Sequence, residues 1–216
     1  IMHFDSLYVR IIILLFMIIC GMSFTPFYSA TRRGLKVFRE DTEVKAYFTI
    51  MLIAVFIVFA GVYFIETGWS HRGEAVNAAF QDVSILTTTG FVSDDLSLWP
   101  AFCQMVLILL MIIGGCSSSS SSGNKVIRLV VVFKLMLHGI QTRLHSNVIR
   151  PVRINSREVP TTTVSAASNH MFLYMLMIFI GAFAMSQDSG SLMECFTTTI
   201  SFLGNVGPCF PGTGAG

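Results

Sequence analysis

Residues 80–91 read FQDVSILTTTGF, and residues 196–208 read FTTTISFLGNVGP. Each belongs to a moderately apolar segment, Glu74 to Leu86 and Ser191 to Thr199, that runs into Thr and Gly. Both segments are too short to cross a bilayer, which takes about 20 apolar residues, and too apolar to be simple loops. From Phe80 to Gly90 is ten residues, and from Phe196 to Gly207 is eleven. A single TTTG run is ordinary turn chemistry, because Ser and Thr bond locally to backbone. Two such runs at equivalent places form an internal repeat of helix, re-entrant half-helix and polar loop, and internal symmetry of this kind points to a transport site.

Backbone carbonyls cannot sit bare in hydrocarbon, so non-helical chain at membrane depth lines a cavity or is buried in protein. A ring of carbonyl oxygens can replace the hydration shell of an alkali cation. Glycine gives the chain dihedrals that turn successive carbonyls toward one axis, and the C-terminal end of a half-helix adds a partial negative charge.

Working outward, the composition supports a membrane solvent. Of 216 residues, 53% are hydrophobic and only 12% charged, against about 25% charged in soluble domains. A net charge of +2 is too small to indicate a nucleic-acid partner. Apolar runs at Tyr8 to Phe27, Ala46 to Ile65, Ala101 to Gly115 continuing as Val126 to Leu137, and Met171 to Met185 are the candidate spans. Twelve of the fourteen Lys and Arg residues fall between the first two runs or in and after the third. Positive loops stay in the cytoplasm, so the four spans are expected to run inward, outward, inward and outward. The opposite connections carry Glu66, Glu74, Asp82, Asp94, Asp95, Asp188 and Glu194 against Arg72, an acidic outer mouth that would concentrate cations. The chain opens inside an apolar run without a clean cleavage site after it, and stops in a Gly/Pro-rich stretch, so both ends read as cut.

Other chemistries find little support. Cys20, Cys103, Cys116, Cys195 and Cys209 are scattered and odd in number, which suits membrane packing better than a zinc site or disulfide framework. The Gly123-Asn124-Lys125 stretch lacks the Gly-Lys-Ser/Thr order of a phosphate cradle. No G-x-S-x-G nucleophile elbow occurs, and His138 and His145 have no third ligand to make a metal centre. An enzyme is therefore not expected. A non-transporting membrane module would have no need of the repeated Gly/Thr loops.

The segments TTTGF, IIGGC followed by GNKVIR, and TISFLGNVGP resemble the third and fourth pore repeats of the Trk/Ktr/HKT potassium transporter superfamily, in its TrkH-like form. GMSF at Gly21 to Phe24, with the charged loop to Asp41 and Glu43, resembles the junction from that family's second repeat into its third. The resemblance covers nearly the whole chain. It implies an all-α integral membrane protein, ion-channel-like, built of helix–pore helix–filter–helix repeats with one broken inner helix. Residues 1–46 would end the preceding repeat and add a cytoplasmic loop. Residues 47–137 would be the third repeat, 138–170 a cytoplasmic loop, and 171–216 a fourth repeat truncated after its filter. With two of four filter quarters, the chain alone would not close a pore.

Carried over by position, Thr87, Thr88, Thr89, Gly90 and Phe91 would form one filter segment, and Leu203, Gly204, Asn205, Val206, Gly207 and Pro208 the other. Potassium would be bound through the backbone carbonyls of Thr88, Thr89, Asn205 and Val206, and Gly90 and Gly207 would be the filter glycines associated with potassium preference. The interruption at Gly114, Gly115, Cys116, Ser117 to Ser122, Gly123, Asn124 and Lys125 corresponds to the family's intramembrane gating loop, with six serines where that loop is Gly-rich. A serine run by itself is most simply a flexible linker. Lys125 and Arg128 are expected as positive-inside anchors or as contacts to acidic groups or lipid phosphates. The implied function is potassium transport, with a sodium/potassium or proton-coupled carrier of the same superfamily as the alternative. No cofactor beyond the bound ion is implied. The implied partners are membrane lipid, a second copy in a homodimer and a cytoplasmic nucleotide-binding regulatory subunit, and the implied location is the inner (plasma) membrane.

Overall fold

The computed structural model describes residues 7–65, 74–93, 96, 99–144, 153–155, 157–188 and 191–210. The described residues are mostly helical, with one hairpin and the non-helical segments taken up below. The helices are α1 Leu7–Gly21, α2 Phe24–Arg33, α3 Lys36–Glu40, α4 Thr42–Ile65, α5 Glu74–Leu86, α6 Ala101–Ile113, α7 Val126–Leu144, α8 Thr161–Met185 and α9 Leu192–Gly204. The hairpin is β1 Arg153–Ile154 against β2 Arg157–Glu158. Its one ion pair, Arg153 to Glu158 at 2.9 Å, is exposed and adds little to stability.

Two helices, α4 and α8, are long and apolar enough to span on their own. The half-helices α5 and α9 have thirteen residues each, about 20 Å at 1.5 Å per residue, which leaves them short of a hydrocarbon core of roughly 30 Å. They must therefore be held inside protein. α5 packs on α1, α4 and α6, and α9 packs on α6 and α8. The order is thus spanning helix, half-helix, broken helix, then spanning helix and half-helix, with α6 touching both half-helices.

The expected first span, Tyr8 to Phe27, is not one helix. α1 stops at Gly21, Met22 and Ser23 break the chain, and α2 leaves at 83°. Its sequence FTPFYSATRR sets aromatic against polar positions, which suits a helix lying along an interface rather than crossing it. The third span is interrupted at 114–125, as expected. The remaining helices run beyond their apolar cores. α4 starts at Thr42 because Asp41 Oδ1 accepts the N–H of Glu43 at 2.8 Å and of Val44 at 3.2 Å, an N-cap. Pro160 halts the chain before α8, which therefore begins ten residues ahead of Met171. The stretch 138–170, read as a cytoplasmic loop, holds the last turns of α7, the hairpin and the first turns of α8.

The main core gathers where these elements meet. Tyr47 of α4, Phe80, Ile85 and Leu86 of α5, Leu107 and Met111 of α6, and Cys116, Val126, Val206 and Phe210 are essentially inaccessible. Both Thr/Gly segments and the 114–125 interruption are therefore anchored in packed protein.

Candidate functional site

The segments after the two half-helices share their backbone turns. Thr88 and Asn205 both adopt left-handed backbone, at φ 53° and 49°, and Gly90 and Gly207 follow two residues later at 78° and 108°. Each pair is separated by 117 positions. The hydrogen bonds repeat at the same interval: Thr88 N–H to Ile85 O (3.0 Å) matches Asn205 N–H to Phe202 O (3.2 Å), and Thr89 N–H to Ser84 O (2.9 Å) matches Val206 N–H to Ser201 O (2.9 Å). The counterpart of Phe80 is thus Thr197, one residue later than the matching of Phe80 with Phe196 suggested. Thr197 to Thr199 lie inside α9, and Leu203 and Gly204 are its last residues. Only Asn205 to Pro208 form the non-helical segment opposite Thr87 to Phe91.

Ser84 and Ser201, buried and 117 positions apart, organise both loops and went unnoticed in the sequence. The Ser84 hydroxyl donates to Phe91 O at 2.8 Å, and the Ser201 hydroxyl accepts from Gly207 N–H at 3.0 Å. A serine six residues ahead of each glycine was the available signal. These bonds use the N–H groups of residues 88–90 and 205–207. Their carbonyl oxygens accept no hydrogen bond from the described residues. Non-helical backbone whose donors are satisfied and whose acceptors are free is suited to a cation.

The segments lie against each other. A Cβ on Gly90 would overlap the carbonyl oxygen of Val206, and one on Gly207 would stand 3.9 Å from Gly90 Cα. Glycine at 90 permits this close approach. Thr89, Phe91, Asn205 and Gly207 are exposed, while Thr87 and Val206 are buried.

The 114–125 stretch folds into a closed loop rather than a free linker. Its ends are joined by Lys125 N–H to Ile113 O and Val126 N–H to Gly115 O, both 3.0 Å. The serines are tied down individually. Ser117 N–H donates to Glu43 Oε1 at 2.5 Å and its hydroxyl to Oε2 at 2.7 Å. Ser119 Oγ lies 2.5 Å from Cys116 O and 2.6 Å from Ser121 Oγ. Cys116 N–H reaches Gly21 O at 3.0 Å, and Ser120 reaches Cys20 O through N–H (3.3 Å) and hydroxyl (3.0 Å). Helix α1 ends with orphan carbonyls that need such donors, and Phe24 N–H at the start of α2 donates back to Ser118 O at 3.0 Å. The break after α1 and the loop are therefore one interlocked feature. The loop touches the first Thr/Gly segment directly: Ser122 N–H donates to Thr88 Oγ1 at 2.7 Å.

Lys125, itself at φ 77°, turns its ammonium onto Ser121 O. Arg128 donates to Asn124 O and to His170 Nε2, both at 3.0 Å. Lys125 thus contacts the loop and Arg128 both the loop and α8, and neither forms an ion pair with an acid among the described residues. Glu43, seen in the sequence only as a loop charge, is 7% exposed and holds Ser117. Asp82 belongs to no outer mouth: it is 1% exposed in α5, and neither carboxylate oxygen has a hydrogen-bond partner among the described residues. Of the other expected mouth acids, Glu194 sits in the first turn of α9, where a negative charge complements the helix dipole. Glu66, Arg72, Asp94 and Asp95, the side chains of Glu74 and Asp188, and His145 lie outside the described residues. No group of three metal-ligating side chains occurs among the described residues.

The family model for TrkH, described as cation transport protein, matches residues 1–214. The chain is 28% identical over 207 residues to the Trk system potassium uptake protein TrkH of Salmonella typhimurium, covering 95% of this chain and 43% of that protein. It is 24% identical over 212 residues to the Trk system potassium uptake protein TrkG of Escherichia coli, covering 98% and 44%. Among solved structures it resembles the potassium transporter TrkH from Vibrio parahaemolyticus with a TM-score of 0.91 at 24% identity, over 99% of this chain and 46% of that one. The chain spans less than half the length of these relatives. Its helical repeat, spanning helices and family match agree: this chain is an integral membrane protein that belongs to the TrkH family of cation transport proteins, a family of ion transporters rather than enzymes.

Proposed function

We propose that this chain supplies two of the filter segments of a potassium-translocating pore in the plasma membrane. The carrying observation is the pair of loops, 117 positions apart, whose carbonyl oxygens at residues 88–90 and 205–207 accept no hydrogen bond from the described residues while their N–H groups are used. Potassium would pass these oxygens, with Thr88, Thr89, Asn205 and Val206 as ligands. The C-terminal ends of α5 and α9 would add to the attraction. The related TrkH and TrkG are potassium uptake proteins, which supports potassium as the ion.

The loop at 114–125 would be the gate. It meets Thr88 at one end of its serine run and Glu43 at the other, so a shift of the loop is felt at the filter. The remaining filter quarters, a second copy in a homodimer and a cytoplasmic nucleotide-binding subunit would complete the transporter.

Expression of the full-length protein in cells lacking potassium uptake tests this. Growth at low potassium is expected, and failure of a membrane-inserted protein to restore it would count against the proposal. One observation favours a second reading. The buried Asp82 carboxylate, in a half-helix, has no hydrogen-bond partner among the described residues, and intramembrane acids are places where a proton can be held. A proton-coupled carrier predicts that Asp82→Asn removes the pH dependence of uptake.

A further inference from the structure

We propose that a groove between α3 and α4 is a binding site for the headgroup of an anionic phospholipid. The groove has a volume of about 550 Å³ and is lined by Phe38, Arg39, Val44, Lys45, Phe48 and Thr49. The side chains of Arg39 and Lys45 form no ion pair or hydrogen bond with the described residues. Two unpaired cations beside a hydroxyl, Thr49, are matched to a phosphate. Arg can supply a planar fork to its oxygens and Lys a point charge.

The nearby acids form no ion pair with these two cations among the described residues. Asp41 Oδ1 caps α4, and the Glu43 carboxylate is held by Ser117. Glu40 is exposed and does not line the groove.

The apolar surroundings select a lipid over a free phosphate. Lys45 and Thr49 share a helical face with Leu52, Ile53 and Phe56, spaced by three and four residues. Those three side chains are 54–72% exposed on the spanning helix. A headgroup at Arg39 and Lys45 therefore leaves its acyl chain along the apolar face of α4. The adjoining elements form an interfacial shelf. α2 leaves α1 at 83°, and Phe27 meets Phe38 edge-on at 5.0 Å. The Arg32 guanidinium lies 5.6 Å over the Tyr28 ring. Aromatic residues and cations in this arrangement mark the headgroup level of a bilayer. The site is separate from the Thr/Gly segments, and its test does not depend on transport.

The purified full-length protein in detergent would be titrated with phosphatidylglycerol, with phosphatidylcholine and with inorganic phosphate, and bound molecules counted by native mass spectrometry. A juxtamembrane cation contributes enough to weaken anionic lipid binding about 5-fold when removed, so Arg39→Gln with Lys45→Gln should weaken phosphatidylglycerol binding roughly 30-fold. Phosphatidylcholine binding should not change. The charge-preserving pair Arg39→Lys with Lys45→Arg should retain binding, and Arg143→Gln, an exposed cation at the end of α7, should have no effect. Unchanged phosphatidylglycerol binding in the double Gln variant would overturn the proposal. An equal loss for both lipids would reduce the groove to an apolar contact and overturn the headgroup assignment. Displacement of phosphatidylglycerol by an equal concentration of inorganic phosphate would overturn the lipid assignment.

Discussion

Replacing Gly90 by alanine should damage the pore through the opposite segment. Two costs arise at this position. The φ of 78° is unfavourable for any L side chain by about 1–2 kcal/mol. The added Cβ would also overlap the Val206 carbonyl oxygen, and forcing an extra methyl group into packed protein costs about 1–3 kcal/mol. Together these disfavour the native arrangement by about 2–5 kcal/mol, a loss of at least roughly 30-fold in its population. Val206 O would have to withdraw, and it is one of the oxygens assigned to potassium. Gly207→Ala provides the contrast. Its Cβ would stand 3.9 Å from Gly90 Cα, so only the local backbone cost applies. The assay is rubidium uptake with and without competing sodium in transporter-deficient cells, at matched membrane levels of protein. Gly90→Ala should lower uptake about 30-fold or more and erode the preference over sodium. Uptake and preference within twofold of the parent would refute the reasoning.

Thr88→Val keeps the branched shape but removes the acceptor for Ser122 N–H, leaving a part-buried donor unmade at about 1–3 kcal/mol. Basal uptake should rise with ion preference intact, as read by rubidium flux with sodium competition. Glu43→Leu removes both acceptors used by Ser117 and should loosen the other end of the loop, seen as faster amide hydrogen exchange at residues 116–122. Cys116, within the loop, is fully buried, so a water-soluble thiol reagent should modify it only in conducting states. Equal labelling under closed conditions would place the gate elsewhere. Replacing Ser117 to Ser122 by glycine removes the hydroxyl bonds to Glu43, Cys116 O and Cys20 O, and should shift gating more than selectivity.

Much of this architecture was legible because membrane helices announce themselves by composition. α5 was readable to its ends, since an apolar half-helix running into Thr-Thr-Thr-Gly has few alternatives. The break after Gly21 was not, because Met22 and Ser23 are apolar or small and continue the hydropathy of α1. Its cause is the distant loop, which captures the carbonyls of Cys20 and Gly21. The start of α8 was hidden because Thr161 to His170 are too polar to read as a span. The repeat was visible but slipped by one residue. Matching phenylalanines are conspicuous, whereas the register is set by Ser84 and Ser201 through bonds no composition reveals. Six serines taken alone read as a flexible linker, and only the family resemblance pointed to a gating loop. Their partners at Glu43, Cys20, Phe24 and Thr88 lie far from them in the chain. Only the folded chain brings them together.

The central claim, that potassium passes the carbonyls of residues 88–90 and 205–207, is tested most directly by flux through the purified full-length protein in liposomes. Rubidium entry well above that of empty liposomes is expected, blocked by potassium more than by sodium and lost in Gly90→Ala. Rubidium entry no faster than in empty liposomes, or entry that sodium blocks as well as potassium does, would contradict it.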